Sequence, residues 1–140
     1  VNFLVDTNVV AEWVKPQPER RVVSWLAEVD EDRVFLSVAT LAEIRRGVEA
    51  MPAGRRRDRL AAWFFDELPA RFEGRILAID RRVAGEWGVV VVRSEKAGVT
   101  MGTMDAFLAA TARAHALTLV TRDAGDFRCA GIDVLNPWLD

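Results

Sequence analysis

The side chains best placed to do chemistry in this sequence are carboxylates standing singly beside apolar runs: Asp6, Glu43, Asp105, and the pair Asp123 and Asp126. Each has an ordinary structural reading. Asp6, in Val5-Asp6-Thr7-Asn8, ends an apolar run with three residue types that cap helix N-termini. Glu43 closes Thr40-Leu41-Ala42-Glu43, which matches the Ser/Thr-x-x-Glu capping box. Gly47, one turn further on, leaves room for a backbone or a ligand to approach. Asp105 follows Gly102-Thr103-Met104; with Thr103 as N-cap it falls in a first helical turn, where the dipole favours an anion. Asp123 and Asp126 lie in Thr121-Arg122-Asp123-Ala124-Gly125-Asp126, a turn-forming stretch. Converged, the same acids would behave differently. Two like charges about 4 Å apart cost roughly 4 kcal/mol at an effective dielectric near 20. A cluster therefore raises its own pKa values or takes up a cation. An all-oxygen set suits Mg²⁺ or Mn²⁺, which keep water in their shells.

Such convergence depends on the elements between the acids. Short apolar runs at Asn2–Asp6, Arg33–Ser37, Arg75–Ile79, Leu117–Thr121 and Asp133–Leu135 read as strands buried on both faces, as parallel strands are. Helical patterns separate them: Glu19–Val29, Thr40–Ala50, Arg55–Leu68, Asp80 to about Arg93, and Met104–Ala116. Leu41, Ile44 and Val48 share one helical face, as do Leu60, Trp63, Phe64 and Leu68. Val89-Val90-Val91-Val92 has strand propensity but follows a helix start with no strong breaker, so it is assigned to the helix. Strands alternating with helices predict an α/β fold, one domain over residues 1–140, with a mostly parallel sheet of four to five strands flanked by helices. Ligands in such sheets bind beyond the carboxyl ends of the strands. Asp6 and Asp80 end the first and third runs, and Asp123 lies just past the fourth. Asp80 is assigned as an N-cap and left out of the site.

Composition narrows the alternatives. A chain of 140 residues builds a core without disulfides, and its single cysteine, Cys129, supports neither an internal disulfide nor a thiolate zinc site. No apolar run is long enough to span a membrane, and no basic segment precedes Val1-Asn2-Phe3-Leu4-Val5, so a reducing cytoplasm is the expected location. His115 is the only histidine, which excludes paired-histidine ribonuclease chemistry. The net charge is −2, yet arginines crowd Arg55-Arg56-Arg57-Asp58-Arg59, either a solvated helix face or a local contact for phosphate or an acidic partner. A phosphoacceptor receiver domain is also doubly wound, but its late-strand Lys is missing where this chain has Thr121-Arg122-Asp123.

Four ordered segments carry a family resemblance that spans essentially the whole chain. Leu4-Val5-Asp6-Thr7-Asn8 resembles the opening of PIN domains, and Ala42-Glu43-Ile44-Arg45-Arg46-Gly47 their second motif. Met104-Asp105-Ala106-Phe107-Leu108-Ala109-Ala110-Thr111-Ala112 is similar to the third, and Leu119-Val120-Thr121-Arg122-Asp123-Ala124-Gly125-Asp126-Phe127 to the fourth. The end, Asp133-Val134-Leu135-Asn136-Pro137-Trp138, resembles the FitB-like branch of the VapC toxins.

The resemblance implies metal binding by Asp6 and Asp105, support from Glu43 directly or through water, and a fourth acid at Asp123 with Asp126 as its competitor. Thr7, Asn8, Thr121 and Asp126 fall where groups that hold those carboxylates are expected. It further implies a divalent-metal-dependent endoribonuclease, leaving a 5′-phosphate and a 3′-hydroxyl. Such a toxin is held inactive by a cognate VapB- or FitA-like antitoxin, forms a homodimer, and meets operator DNA only through the antitoxin. The alternative is a weakly active partner of that antitoxin in transcriptional autoregulation. Arg45, Arg46 or Arg122 could contact flanking phosphates. The helix Arg55–Leu68, with Trp63, Phe64 and Phe65 adjacent, is a candidate antitoxin or dimer face, because three successive aromatics cannot all enter one core.

Overall fold

Alternation along the central strands divides the apolar residues between two cores, one on each face of a sheet. The structure, a computed structural model, describes residues 1–140. Strands β1 (Phe3–Val5), β2 (Val34–Ser37), β3 (Ile76–Leu77), β4 (Thr118–Val120) and β5 (Val134–Leu135) form one sheet in the order β3-β2-β1-β4-β5. Every neighbouring pair is parallel. On one face Leu4 and Leu119 pack with Val83, Val90, Leu108 and Phe127. On the other, Val5 and Val120 pack with Val22, Ile44, Leu68 and Phe72. Burial of one such side chain contributes about 1.5–3 kcal/mol, and the period-two alternation fixes the register, since a one-residue slip would exchange the faces.

The helices are α1 (Thr7–Val10), α2 (Arg20–Glu28), α3 (Val38–Ala50), α4 (Arg55–Ala62), α5 (Leu68–Arg71), α6 (Arg81–Lys96) and α7 (Thr103–His115). Short 3₁₀ turns cover Ala11–Val14, Glu31–Arg33 and Ala124–Ala130, the last in place of the open loop the sequence suggests. Helix α6 absorbs Val89–Val92 as expected, with Val90 buried and Val89 and Val92 exposed.

Three local expectations change. Helix α3 starts at Val38, not Thr40, because Ser37 at the exit of β2 supplies the cap: its hydroxyl accepts the Ala39 N–H at 3.0 Å. Thr40 is then a fully buried interior residue, so the capping box does not form and Glu43 is not engaged at a helix end. Gly47 faces open space, with nothing within 4 Å of where a Cβ would stand, so no backbone uses the gap. The third change is in the stretch Arg55–Leu68, which continues to Arg71 through a π-helical turn at Trp63–Glu67 where Leu68 N–H bonds Trp63 C=O. Pro69 lacks the N–H an α-helix needs there, and a widened turn just before it accommodates the missing bond. Trp63 and Phe64 turn into the core, while Phe65 stays 52% exposed under Arg45.

Asp80 caps α6, accepting the Val83 N–H at 3.0 Å. Replacing it with Ala should cost about 1 kcal/mol of stability and leave any activity of the acid cluster unchanged. Urea unfolding beside a cleavage assay checks both, and loss of activity in the folded variant would place Asp80 in the site after all.

Candidate functional site

The strand order reverses between β1 and β4: the chain runs outward from β1 to β2 and β3, then returns to add β4 and β5 on the other side. A crevice opens at the carboxyl ends of strands flanking such a reversal. Asp6 and Thr121 are the first residues beyond β1 and β4. The Asp6 N–H extends the ladder by bonding Val120 C=O at 2.9 Å. One side-chain oxygen of Asp6 accepts the Thr7 N–H at 2.7 Å, so the N-cap reading is correct as far as it goes. The other accepts the Thr121 hydroxyl at 2.7 Å. Asp6 is both a cap and a buried acid, 5% exposed.

Helix α1 begins at Thr7, and its first two side chains bond two further acids, Glu43 and Asp123. The Thr7 hydroxyl donates to Glu43 on α3 at 3.1 Å. Asn8 donates through Nδ2 to Asp123 Oδ2 at 3.1 Å and accepts the Arg122 N–H through Oδ1 at 3.2 Å. The Thr121 hydroxyl that donates to Asp6 also accepts the Asp123 N–H at 3.1 Å. Asp105 stands in the first turn of α7, whose N-cap is Gly102 rather than Thr103. It is half-buried, as is Glu43, whereas Asp123 and Asp126 are exposed.

Electrostatics tie these acids into one group. Burial pushes the Asp6 carboxyl from 3.8 up to about 6; the bonds from Thr121 and Thr7 pull it down, and the charges of Asp105 and Glu43 push it further up. Glu43 is raised by burial and by Asp105, against the Thr7 bond. Asp105 is raised by burial, then by Asp123 and Asp126, in that order. No ion pair in the molecule involves any of the five. Arg45, one of the arginines expected near the mouth, pairs with Glu49, and Arg122 lies over the Trp138 ring. None of the five carboxylates is therefore paired with a cationic side chain, and burial leaves Asp6 dehydrated.

The donor set is all oxygen, and no three His, Cys, Asp or Glu side chains stand close enough to be a ready-made ligand cage. That suits an ion held by one or two carboxylates and several waters, as Mg²⁺ is. It does not suit zinc: His115 ends α7, about 15 Å along the helix from Asp105 at 1.5 Å per residue.

Two polar residues to which the sequence assigned no role are built into the surroundings. Glu12 is 2% exposed, accepts the Glu19 N–H at 2.8 Å and pairs with Lys15, closing the loop before α2. Its signal was an acid inside the apolar run Val9–Val14. Asn136, 9% exposed, bonds Arg122 C=O at 3.2 Å, a contact with no local signature.

Comparison with known proteins agrees with this architecture. The family model described as PIN domain matches residues 3–131. Toxin FitB of Neisseria gonorrhoeae is 39% identical, covering 99% of each chain. The VapC ribonuclease Y4jK of Sinorhizobium fredii is 36% identical, covering 97% of each. A solved FitAB structure bound to a DNA fragment superposes with a TM-score of 0.91 at 38% identity, covering 97% of this chain and 95% of that one.

Proposed function

Since the chain belongs to the PIN domain family, we propose that it is the toxin of a toxin–antitoxin pair, an endoribonuclease that depends on Mg²⁺ or Mn²⁺ taken up among Asp6, Asp105, Glu43 and Asp123, by one or two of them directly and by the others through water. The observation that carries this reading is the convergence of acids from four elements at the β1–β4 crevice, with buried Asp6 lacking any cationic partner. Ribonuclease and toxin are the functions by which its full-length relatives are named. When bound, a divalent cation lowers the pKa of a water and neutralises charge on the scissile phosphate.

The chain's own residues supply position. The Thr121 hydroxyl and the Thr7 N–H each bond one oxygen of Asp6 and so fix its orientation. Thr7 holds Glu43, and Asn8 holds Asp123. Bonds of this kind to ligand carboxylates typically govern metal affinity and activity 10- to 100-fold. The FitA-like antitoxin belongs to this proposal by likeness to FitAB, and the homodimer by the family resemblance alone. No helix is long and apolar enough to cross a membrane.

Total cellular RNA incubated with the purified protein should be cleaved with Mg²⁺ or Mn²⁺, spared with EDTA, and spared by Asp105→Asn; end sequencing maps the cuts. Equal RNA loss in wild type and variant would remove the enzyme and leave the autoregulatory partner role.

A further inference from the structure

The carboxyl-terminal tail reaches back to the turn that carries Asp123. Strand β5 ends at Leu135, whose C=O accepts the Thr121 N–H at 3.0 Å, so Asn136 emerges beside Arg122. Its side-chain amide is used at both ends. Oδ1 accepts the Trp138 N–H at 2.9 Å, and Nδ2 donates to Arg122 C=O at 3.2 Å. The Arg122 residue is consequently gripped from two sides, its N–H by Asn8 and its C=O by Asn136. The tail is itself anchored. Asn136 N–H bonds Asp140 at 2.9 Å, Arg21 of α2 donates to Trp138 C=O at 2.8 Å, and the Arg122 guanidinium lies 5.6 Å from the Trp138 ring centre.

These contacts bear on an exposed acid. Asp123 has no burial to fix it, and it follows directly on the gripped residue. Beside the bonds that Asn8, Thr121 and the Asp126 N–H make to Asp123 itself, the hold of Asn136 on Arg122 ties the turn from which it projects to the tail. A nearly buried amide satisfied on both its oxygen and its nitrogen has one rotamer available, and rigid support is what an exposed ligand lacks.

We infer that Asn136 is a positioning residue for Asp123, through which the carboxyl-terminal tail forms part of the site. This rests on the metal-site reading above. Asn136→Asp keeps an oxygen for the Trp138 N–H, loses the donor to Arg122 C=O and adds charge; Asn136→Ser adds no charge and keeps only a hydroxyl one bond shorter, withdrawn from that C=O. Asp140→Ala loosens the tail while leaving that donor in place.

Three readouts separate the roles. Hydrogen exchange over residues 121–125 should quicken in both Asn136 variants and stay near wild type in Asp140→Ala. Calorimetric titration with Mn²⁺ alone should show affinity about tenfold weaker. Cleavage should fall about 10- to 100-fold, with no further loss when Asn136→Ser is added to Asp123→Asn, because two residues acting as a unit are not additive. Unchanged exchange, or an equal loss in the Asp123→Asn background, overturns the inference. Collapse of both Asn136 variants, seen by circular dichroism, would also overturn it by making the role one of folding. A wild type that neither binds Mn²⁺ nor cuts RNA would sink the metal-site reading instead, and exchange would still decide whether Asn136 holds the turn.

Discussion

Asp6→Asn should lower RNA cleavage about a thousandfold while stabilising the metal-free protein. The first effect is the loss of a charged oxygen at the centre of the cluster. A cation's stabilisation of a phosphoryl transition state amounts to several kcal/mol, and about 4 kcal/mol is a thousandfold in rate. The second effect has the opposite sign because the folded state holds this carboxylate at 5% exposure. Its pKa rises from 3.8 to about 6 on folding, chiefly through burial. A raised carboxyl favours the fold only while protonated. Its contribution is complete below the unfolded value and is lost as pH climbs through the folded one. At pH 7.5 the ionised group therefore costs on the order of 3 kcal/mol, at about 1.4 kcal/mol per unit.

Asparagine keeps an oxygen for the Thr7 N–H and carries no charge. The variant should gain roughly 1–3 kcal/mol at pH 7.5 and nothing below about pH 4. Thermal unfolding across that range, without metal, measures it. Saturating Mg²⁺ should invert the order, since a ligand that binds only the folded wild type stabilises only the wild type. Retained cleavage, or a difference in stability that does not vary with pH, would show that Asp6 is a cap and nothing more.

Much of this arrangement could be read before any coordinates. Asp6 is visible because a strand exit in a parallel sheet is where ligands bind, and Asp105 because an acid heads an alanine-rich helix. Both signals are local, so they survive in one dimension. Glu43 shows where local reading misleads. Thr40-Leu41-Ala42-Glu43 has the capping-box pattern, but β2 delivers Ser37 three residues earlier and that hydroxyl takes the cap. Only the pairing of β2 with β1 decides which hydroxyl lies at the helix start. Glu12 and Asn136 are harder still, because Asn136 acts on Arg122, fourteen residues away, across a strand pairing. The π turn ahead of Pro69 did have a signal, the proline itself, which marks a break without saying how the helix absorbs it.

The hydroxyl of Thr121 joins fold and site more directly than any other group. It is fully buried, donates to Asp6 and accepts the Asp123 N–H, so one oxygen sets two of the four acids. Thr121→Val keeps the shape and removes both bonds. The stability loss should be about 1.5–3 kcal/mol near neutral pH, the usual worth of a bond to a charged group. The loss should shrink in acid as Asp6 protonates. Cleavage should fall about 10- to 100-fold, with part recovered at high Mn²⁺. Because the Thr121 bond pulls the Asp6 pKa down, its removal should also carry the Asp6-linked fall in metal-free stability on to higher pH. Thr121→Ser should restore all three, since it returns the hydroxyl and gives up only a methyl. If Thr121→Val binds Mn²⁺ as wild type does and its pH curve stays in place, the two acids are held by their own backbones, and Thr121 is a core residue whose hydroxyl merely found partners.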